Sequence, residues 1–312
     1  MTTESRTART VVLGQNQYGK AENRVVRIVR DGTTHHIKDL NVSVALSGDM
    51  DDVHYSGSNA HVLPTDTTKN TVFAFAKEHG IESAEQFGIH LARHFVTSQE
   101  PITTARIRIE EYGWERIARS GTEPGAAGPA HSFVRTGQET RTTQVTFDGR
   151  NWEVVSGLKD LTVLNSTDSE FWGYVKDKYT TLKEAYDRIL ATDVSARWRF
   201  NWTEDTQRVP DWNTSYTEVR KHLLQAFADT YSLSLQQTLF QMGERIIGHR
   251  SEIDEVRFSL PNKHHFLVDL EPFGLKNDNE VYFAADRPYG LIEGTVLRDG
   301  CEPRIPADLT SL

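Results

Sequence analysis

Between Ser259 and Phe266 the chain reads Ser-Leu-Pro-Asn-Lys-His-His-Phe. In a strand, successive side chains point to opposite faces, so Asn262 and His264 share one face while Lys263 and His265 share the other. A carboxamide beside an imidazole can orient a small polar molecule and move a proton. Apolar flanks, Val256 and Phe258 before and Phe266, Leu267 and Val268 after, make the segment read as a buried strand. Alone, the pair fits equally well two polar side chains that are merely satisfied inside a sheet. It gains meaning only from what converges on it.

The elements that must position such a pair follow from periodicity and from a diverged internal repeat, whose halves are related by roughly 150 positions. Phe75-Ala76 aligns with Phe227-Ala228, and the same register sets Ile81 on Leu233, Phe87 on Leu239 and Arg93 on Arg245. Each half is expected to carry two helices. In the first, Thr65-Asp66 opens a helix over Thr67 to Lys77, Gly80 stops it, and Ser83 with Gln86 forms a capping box for a helix through Phe95. In the second, Ser215 to Asp229 and Ser234 to Arg250 repeat the pattern, with Leu235, Leu239, Met242 and Ile246 as an apolar stripe. Strands are expected at Val25 to Val29, His36 to Leu46, Thr103 to Ile117 and Arg141 to Phe147. In the second half they fall at Leu158 to Val163, Ala196 to Trp202, Val256 to Leu270 and Gly290 to Val296. Leu158 to Val163 also echoes Ile37 to Val42. The fold class is therefore α+β: two tandem units, 1–150 and 151–312, each an antiparallel sheet with a helix pair on one face. Open edges and faces of such units need covering, and a homo-oligomer does this. Ser120 to Ala130, rich in Gly and Pro, reads as a hairpin tip.

Composition narrows the function classes. The chain has 312 residues, long enough for two ordinary domains, and carries 35 Lys and Arg against 44 Asp and Glu for a formal charge of −9. No basic stripe is present, so nucleic acid is not an expected partner. A single cysteine, Cys301, leaves no intrachain disulfide and no Cys-rich metal site. Met1 to Thr7 is polar and no run of 18 apolar residues occurs, so neither a secretory signal nor a membrane span is expected. Leu309-Thr310-Ser311-Leu312 lacks the lysine of a Ser-Lys-Leu peroxisomal address, which suggests a cytoplasmic protein.

Several short segments, in this order and spacing, resemble the urate oxidase (uricase) family of tunnelling-fold enzymes over nearly the whole chain. They are Tyr18-Gly19-Lys20, Thr65-Asp66-Thr67-Thr68-Lys69-Asn70-Thr71, Phe171-Trp172-Gly173, Thr180-Thr181-Leu182-Lys183-Glu184, Asp187-Arg188-Ile189-Leu190, Ser234-Leu235-Gln236 and Leu260-Pro261-Asn262-Lys263-His264. The resemblance implies oxidation of urate by dioxygen and water, giving 5-hydroxyisourate and hydrogen peroxide, without metal or organic cofactor. Urate is a flat anionic ring edged with carbonyl and N–H groups. Phe171 would stack on it, while Arg188 and Gln236 would grip opposite edges, helped by the Leu235 backbone. Lys20, Thr65 and His264 would relay protons, Lys20 as a base kept neutral by its surroundings. Asp66 would cap the helix opened by Thr65, and Asn262 would hold dioxygen and then water above the ring. Thr65 and Asp66 would face the substrate across a subunit boundary, in a homotetramer whose sheets close into a barrel.

Other readings attach to the same residues. Singly, Arg188 fits a surface ion pair, Phe171 a core position and Gln236 a solvated helix residue. A pterin enzyme of the same fold with zinc would want Cys and His ligands, and one cysteine is too few. His90-Leu91-Ala92-Arg93-His94 has helical metal-ligand spacing, with His35-His36 and His264-His265 as further imidazoles, but lacks a Glu at the H-E-x-x-H position and an indicated third ligand. A binding protein that kept the fold and lost the chemistry is the rival from another class.

Overall fold

The computed structural model describes residues 11–118 and 131–307. The expectations for Met1 to Thr7, Ser120 to Ala130 and Leu309 to Leu312 lie outside the described residues. The elements run β1 (Tyr18–Asp31), β2 (Thr34–Gly48), α1 (Asp51–Tyr55), α2 (Thr65–Glu78), α3 (Ala84–Ser98), β3 (Ile102–Arg116), β4 (Phe133–Phe147), β5 (Trp152–Asn165), β6 (Leu190–Phe200), α4 (Trp212–Asp229), α5 (Leu235–His249), β7 (Ile253–Leu267) and β8 (Tyr282–Leu297). The eight strands form one sheet in the order of the sequence, and every neighbouring pair is antiparallel. The two halves therefore share a sheet. Their seam is the β4–β5 ladder, from Phe147 opposite Trp152 to Thr140 opposite Lys159. The echo between Ile37 to Val42 and Leu158 to Val163 does not follow the element order: it joins β2 to β5, the second strand of one half to the first strand of the other.

Strand alternation separates two surfaces of the sheet. One face carries Leu40, Val42, Val44, Ile107, Ile109, Val145, Val194, Ala196, Val256 and Phe258, all buried in the core. Against it lie α2 on β1, α3 on β3 and β4, and α5 on β7 and β8. Burying each such Leu, Ile, Val or Phe side chain contributes about 1.5 to 3 kcal/mol before chain entropy is charged against it. The opposite face carries Asn41, Ser43, Arg108, Gln144, Asp193, Ser195 and Arg197, which line a polar concavity. Fully buried Glu85 of α3 ties the helix layer to the seam: it accepts from Arg141 Nη2 at 2.6 Å, Thr143 Oγ1 at 3.1 Å and Ser156 Oγ at 2.5 Å.

Helix starts follow side-chain capping. Ser83 Oγ accepts from Gln86 N and Ser234 Oγ from Gln237 N, while Asp211 caps α4 through Thr214 N. The reciprocal half of the Ser83 capping box is absent from the hydrogen-bond pattern, because the Gln86 amide meets His90 Nε2 at 3.1 Å instead. At α2 the expected cap is replaced. The helix begins at Thr65 itself, with Pro64 before it and no side-chain cap. The Asp66 carboxylate turns to Lys69 Nζ at 2.5 Å and Asn70 Nδ2 at 3.0 Å.

Candidate active site

The first group of site residues is assembled by Tyr18. Its half-buried hydroxyl donates to the Leu63 carbonyl at 3.0 Å and accepts from the Leu63 N–H at 2.8 Å. That doubled contact anchors the approach to α2 beside the start of β1. Gly19 permits the close strand contact, since a Cβ there would fall 1.9 Å from the Val44 carbonyl oxygen. Half-buried Lys20 follows and lies close enough to help hold the Asp66 carboxyl below the usual carboxylate range, an effect led by the Lys69 hydrogen bond and charge. Thr65, half-buried at the first position of α2, makes no side-chain hydrogen bond among the described residues. It therefore presents a free hydroxyl at a helix N-terminus that favours negative charge.

The second group hangs on the segment between β5 and β6. Ser169 forms a parallel bridge with Ser232. Ser232 N donates to the Asp168 carbonyl at 2.9 Å, and Glu170 N donates to the Ser232 carbonyl at 2.8 Å. Phe171 pairs with Ala185, and Arg188 N donates to the Ser169 carbonyl at 2.9 Å. Ser232 leads directly into α5, so Phe171 and Arg188 are fastened beside the first turn that carries Leu235 and Gln236. Leu235 is buried, and exposed Gln236 has no side-chain partner among the described residues.

Arg188 is the electrostatic centre of this group. Its guanidinium carbon stands 5.2 Å from the centroid of the Phe171 ring, and its Nε donates to Ser169 Oγ at 3.1 Å. It is half-buried, forms no ion pair among the described residues, and burial lowers its pKa. A partly desolvated guanidinium whose Nη edge has no partner among the described residues offers a pair of donors to an anion.

Asn262 and His264 arrive on β7. Asn262 stands opposite Thr192 of β6, on the helix-bearing face, whereas Lys263 reaches Asp193 Oδ2 at 2.5 Å on the other. The β7–β8 register shifts between Asn262 and His264, with His264 opposite Ala285 and Asn262 opposite Gly290. Burial depresses the His264 pKa, and the charges of Arg188 and then His265 depress it further, so imidazole and guanidinium share a local field.

Phe171, Arg188, Leu235, Gln236, Asn262 and His264 thus converge at one end of β6 and β7. Lys20, Thr65 and Asp66 converge elsewhere, at β1 and α2. Strands β1 and β6 stand five places apart in the sheet order, roughly 24 Å along its arc at about 4.8 Å per strand. Ser169 and Ser232 are neighbours of the Arg188 group that the sequence does not single out. Serine is too common at turns for its type to signal a role; the usable signal is that Ser169 lies two positions before Phe171. His90 and His94 are taken up in ring contacts with His79 and Phe75, and no group of three or more His, Cys, Asp or Glu among the described residues is placed to hold a metal ion.

Fold and site together define an α+β protein with one antiparallel sheet, helices on one face, and a half-buried arginine beside an aromatic ring and near an imidazole. Comparison with known proteins gives that class its family. The family model described as Uricase matches residues 16–146 and 154–293. A uricase of Arthrobacter globiformis is 50% identical over 299 residues, covering 96% of this chain and 94% of the relative, and one of Emericella nidulans is 38% identical over 293 residues, covering 90% and 96%. The crystal structure of the Arthrobacter globiformis uricase superposes with a TM-score of 0.88 at 49% identity, covering 96% of this chain and 99% of that one. A uricase from Bacillus fastidious, 23% identical over 92% of this chain and 94% of its own, shares the fold with a TM-score of 0.78. The chain belongs to the uricase family, oxidoreductases that act on urate in purine degradation.

Proposed function

We propose that this chain converts urate, dioxygen and water to 5-hydroxyisourate and hydrogen peroxide with no metal or organic cofactor. The observation that carries the reading is Arg188: a half-buried guanidinium over the Phe171 ring, without a carboxylate partner among the described residues, whose charge reaches His264. A planar anion stacked on Phe171 would use the free Nη edge and meet Gln236 and the Leu235 backbone on its other side. The deprotonated ring is itself the electron donor. Two electrons pass from urate to dioxygen, two protons complete hydrogen peroxide, and a hydroxyl from water ends on the oxidised ring carbon. Asn262 holds dioxygen and then that water. Lys20, Thr65 and His264 move the protons, with Lys20 drawing on the Thr65 hydroxyl.

Separation of the Lys20 group from the Arg188 group along the sheet supports a pocket completed by a second copy. Each chain then contributes two tandem tunnelling-fold units, 1–150 and 151–312, to a cytoplasmic homotetramer with a barrel-like tunnel. Lys20, Thr65 and Asp66 of one subunit would face Phe171, Arg188, Gln236, Asn262 and His264 of another.

The test follows urate by ultraviolet absorbance in aerated buffer containing chelator, with oxygen and peroxide measured alongside. Matched loss of urate and oxygen with peroxide release is expected. Unchanged urate despite binding would make the chain a binding protein, and loss of turnover on chelation, restored by metal, would overturn the cofactor-free chemistry.

A further inference from the structure

We infer that Ser169 is a positioning residue that fixes the plane of the Arg188 guanidinium and thereby sets how tightly the anionic substrate is held. The inference rests on the proposed urate site. Ser169 is fully buried, and its hydroxyl oxygen accepts from Arg188 Nε at 3.1 Å. Its backbone holds the same residue a second time, through Arg188 N to the Ser169 carbonyl at 2.9 Å. A guanidinium is a rigid planar fork, so fixing Nε fixes the direction in which both Nη groups point. With no carboxylate on Arg188 among the described residues, Ser169 is the one side chain there that orients it by hydrogen bonding. A carboxylate in that place would neutralise the charge that the substrate needs. A neutral hydroxyl aims the cation and leaves its charge available.

Ser169 is fixed in turn by the entry to α5. Its bridge partner Ser232 is also fully buried. The Ser232 hydroxyl donates to the Ser234 carbonyl at 3.0 Å and accepts from Thr238 Oγ1 at 2.8 Å, while Ser234 Oγ caps the helix. An unbroken set of short contacts therefore links the Arg188 fork to the turn that carries Gln236, so the two grips on the substrate belong to one frame. Loss of the Ser169 hydroxyl leaves that backbone frame in place and frees only the guanidinium to turn.

The experiment compares Ser169→Ala with the parent enzyme in steady-state turnover and in anaerobic urate binding, where no oxidation competes with the measurement. Arg188 holds the substrate before and during reaction, so KM and the anaerobic Kd should rise together by about tenfold while kcat changes less than about twofold. Ser169→Cys, of similar size and with a weaker acceptor, should fall between the two, and thermal melting should show all three folded at the assay temperature. Parental KM and Kd in folded Ser169→Ala would overturn the inference, as would a fall in kcat with Kd unchanged. If Ser169→Ala fails to fold, Ser169→Cys decides: a parental Kd overturns the inference and a raised Kd supports it. Failure of the parent enzyme to consume urate would instead strike the functional reading, and the two failures are distinguishable.

Discussion

At the residue scale, the proposed chemistry turns on a cation beside an imidazole. Arg188 needs its charge to hold an anion, and that charge disfavours a second one on His264, whose pKa lies below its ordinary value of 6.5 through burial first, then Arg188, then His265. The working form of His264 near neutrality is therefore the neutral ring, able to accept a proton and pass it on. Turnover should be insensitive to the titration of His264 above the ordinary imidazole value and should fall as pH drops through the lowered one. His264→Gln should remove that acid limb and lower kcat by about 10²-fold or more. The sign for stability is the same. A depressed histidine pKa gives stability that is complete above the unfolded value and is lost as pH falls through the folded one. Circular dichroism at each pH separates the two effects: a His264→Gln profile that keeps the parental acid limb in folded protein would remove His264 from the relay.

At the element scale, the last helix of each half reaches the sheet through a glycine. A Cβ on Gly88 of α3 would lie 2.9 Å from Val145 Cγ2, and one on Gly243 of α5 would lie 2.5 and 2.6 Å from Val296 Cγ2 and Cβ. Val296 is β-branched and stiff, so α5 would have to lift from β8. Gly243→Ala should therefore destabilise by about 1 to 3 kcal/mol despite a helix-propensity gain of about 1 kcal/mol. Chemical denaturation reads the difference, and an Ala variant as stable as the parent would show that the interface can yield. These helices were legible in the sequence because Ser83 and Ser234 mark their starts and Leu239, Met242 and Ile246 mark their buried stripe. At the first turn of α2 the sequence pattern misleads, since a Thr-Asp pair reads as a cap whereas Asp66 serves Lys69 and Asn70. Strands run longer than expected at β1, β4, β5 and β8, and β6 begins earlier, at Leu190; at β1 and β4 the added ends are partly exposed and mostly polar, with little apolar alternation to read. The side chains of the candidate site are named by motif order alone, whereas the Ser169–Ser232 bridge exists only in the folded chain.

At the scale of the whole molecule, the sheet ends in two edges, β1 and β8, and the site residues gather near both ends of that order without meeting. Apolar side chains stand exposed near the Arg188 group, among them Tyr186 at 64% and Phe266 at 51%. Edges that find no further strand among the described residues, and exposed apolar surface, both favour association with another copy. If each pocket takes Lys20 from one chain and Arg188 from another, Lys20→Ala and Arg188→Ala homo-oligomers will each lack one essential group in every pocket. Co-refolding the two variants in equal amounts creates mixed oligomers. In these, a pocket drawing Lys20 from an Arg188→Ala chain and Arg188 from a Lys20→Ala chain is intact, and random assembly makes about a quarter of all pockets so. Activity should therefore return to about a quarter of the parental value, whereas a pocket built within one chain could never recover both residues. Assay of the mixture against each variant alone decides between the two arrangements. A mixture no more active than the variants, in oligomers shown to contain both chains, would place Lys20 and Arg188 in the same subunit's pocket or remove Lys20 from the chemistry.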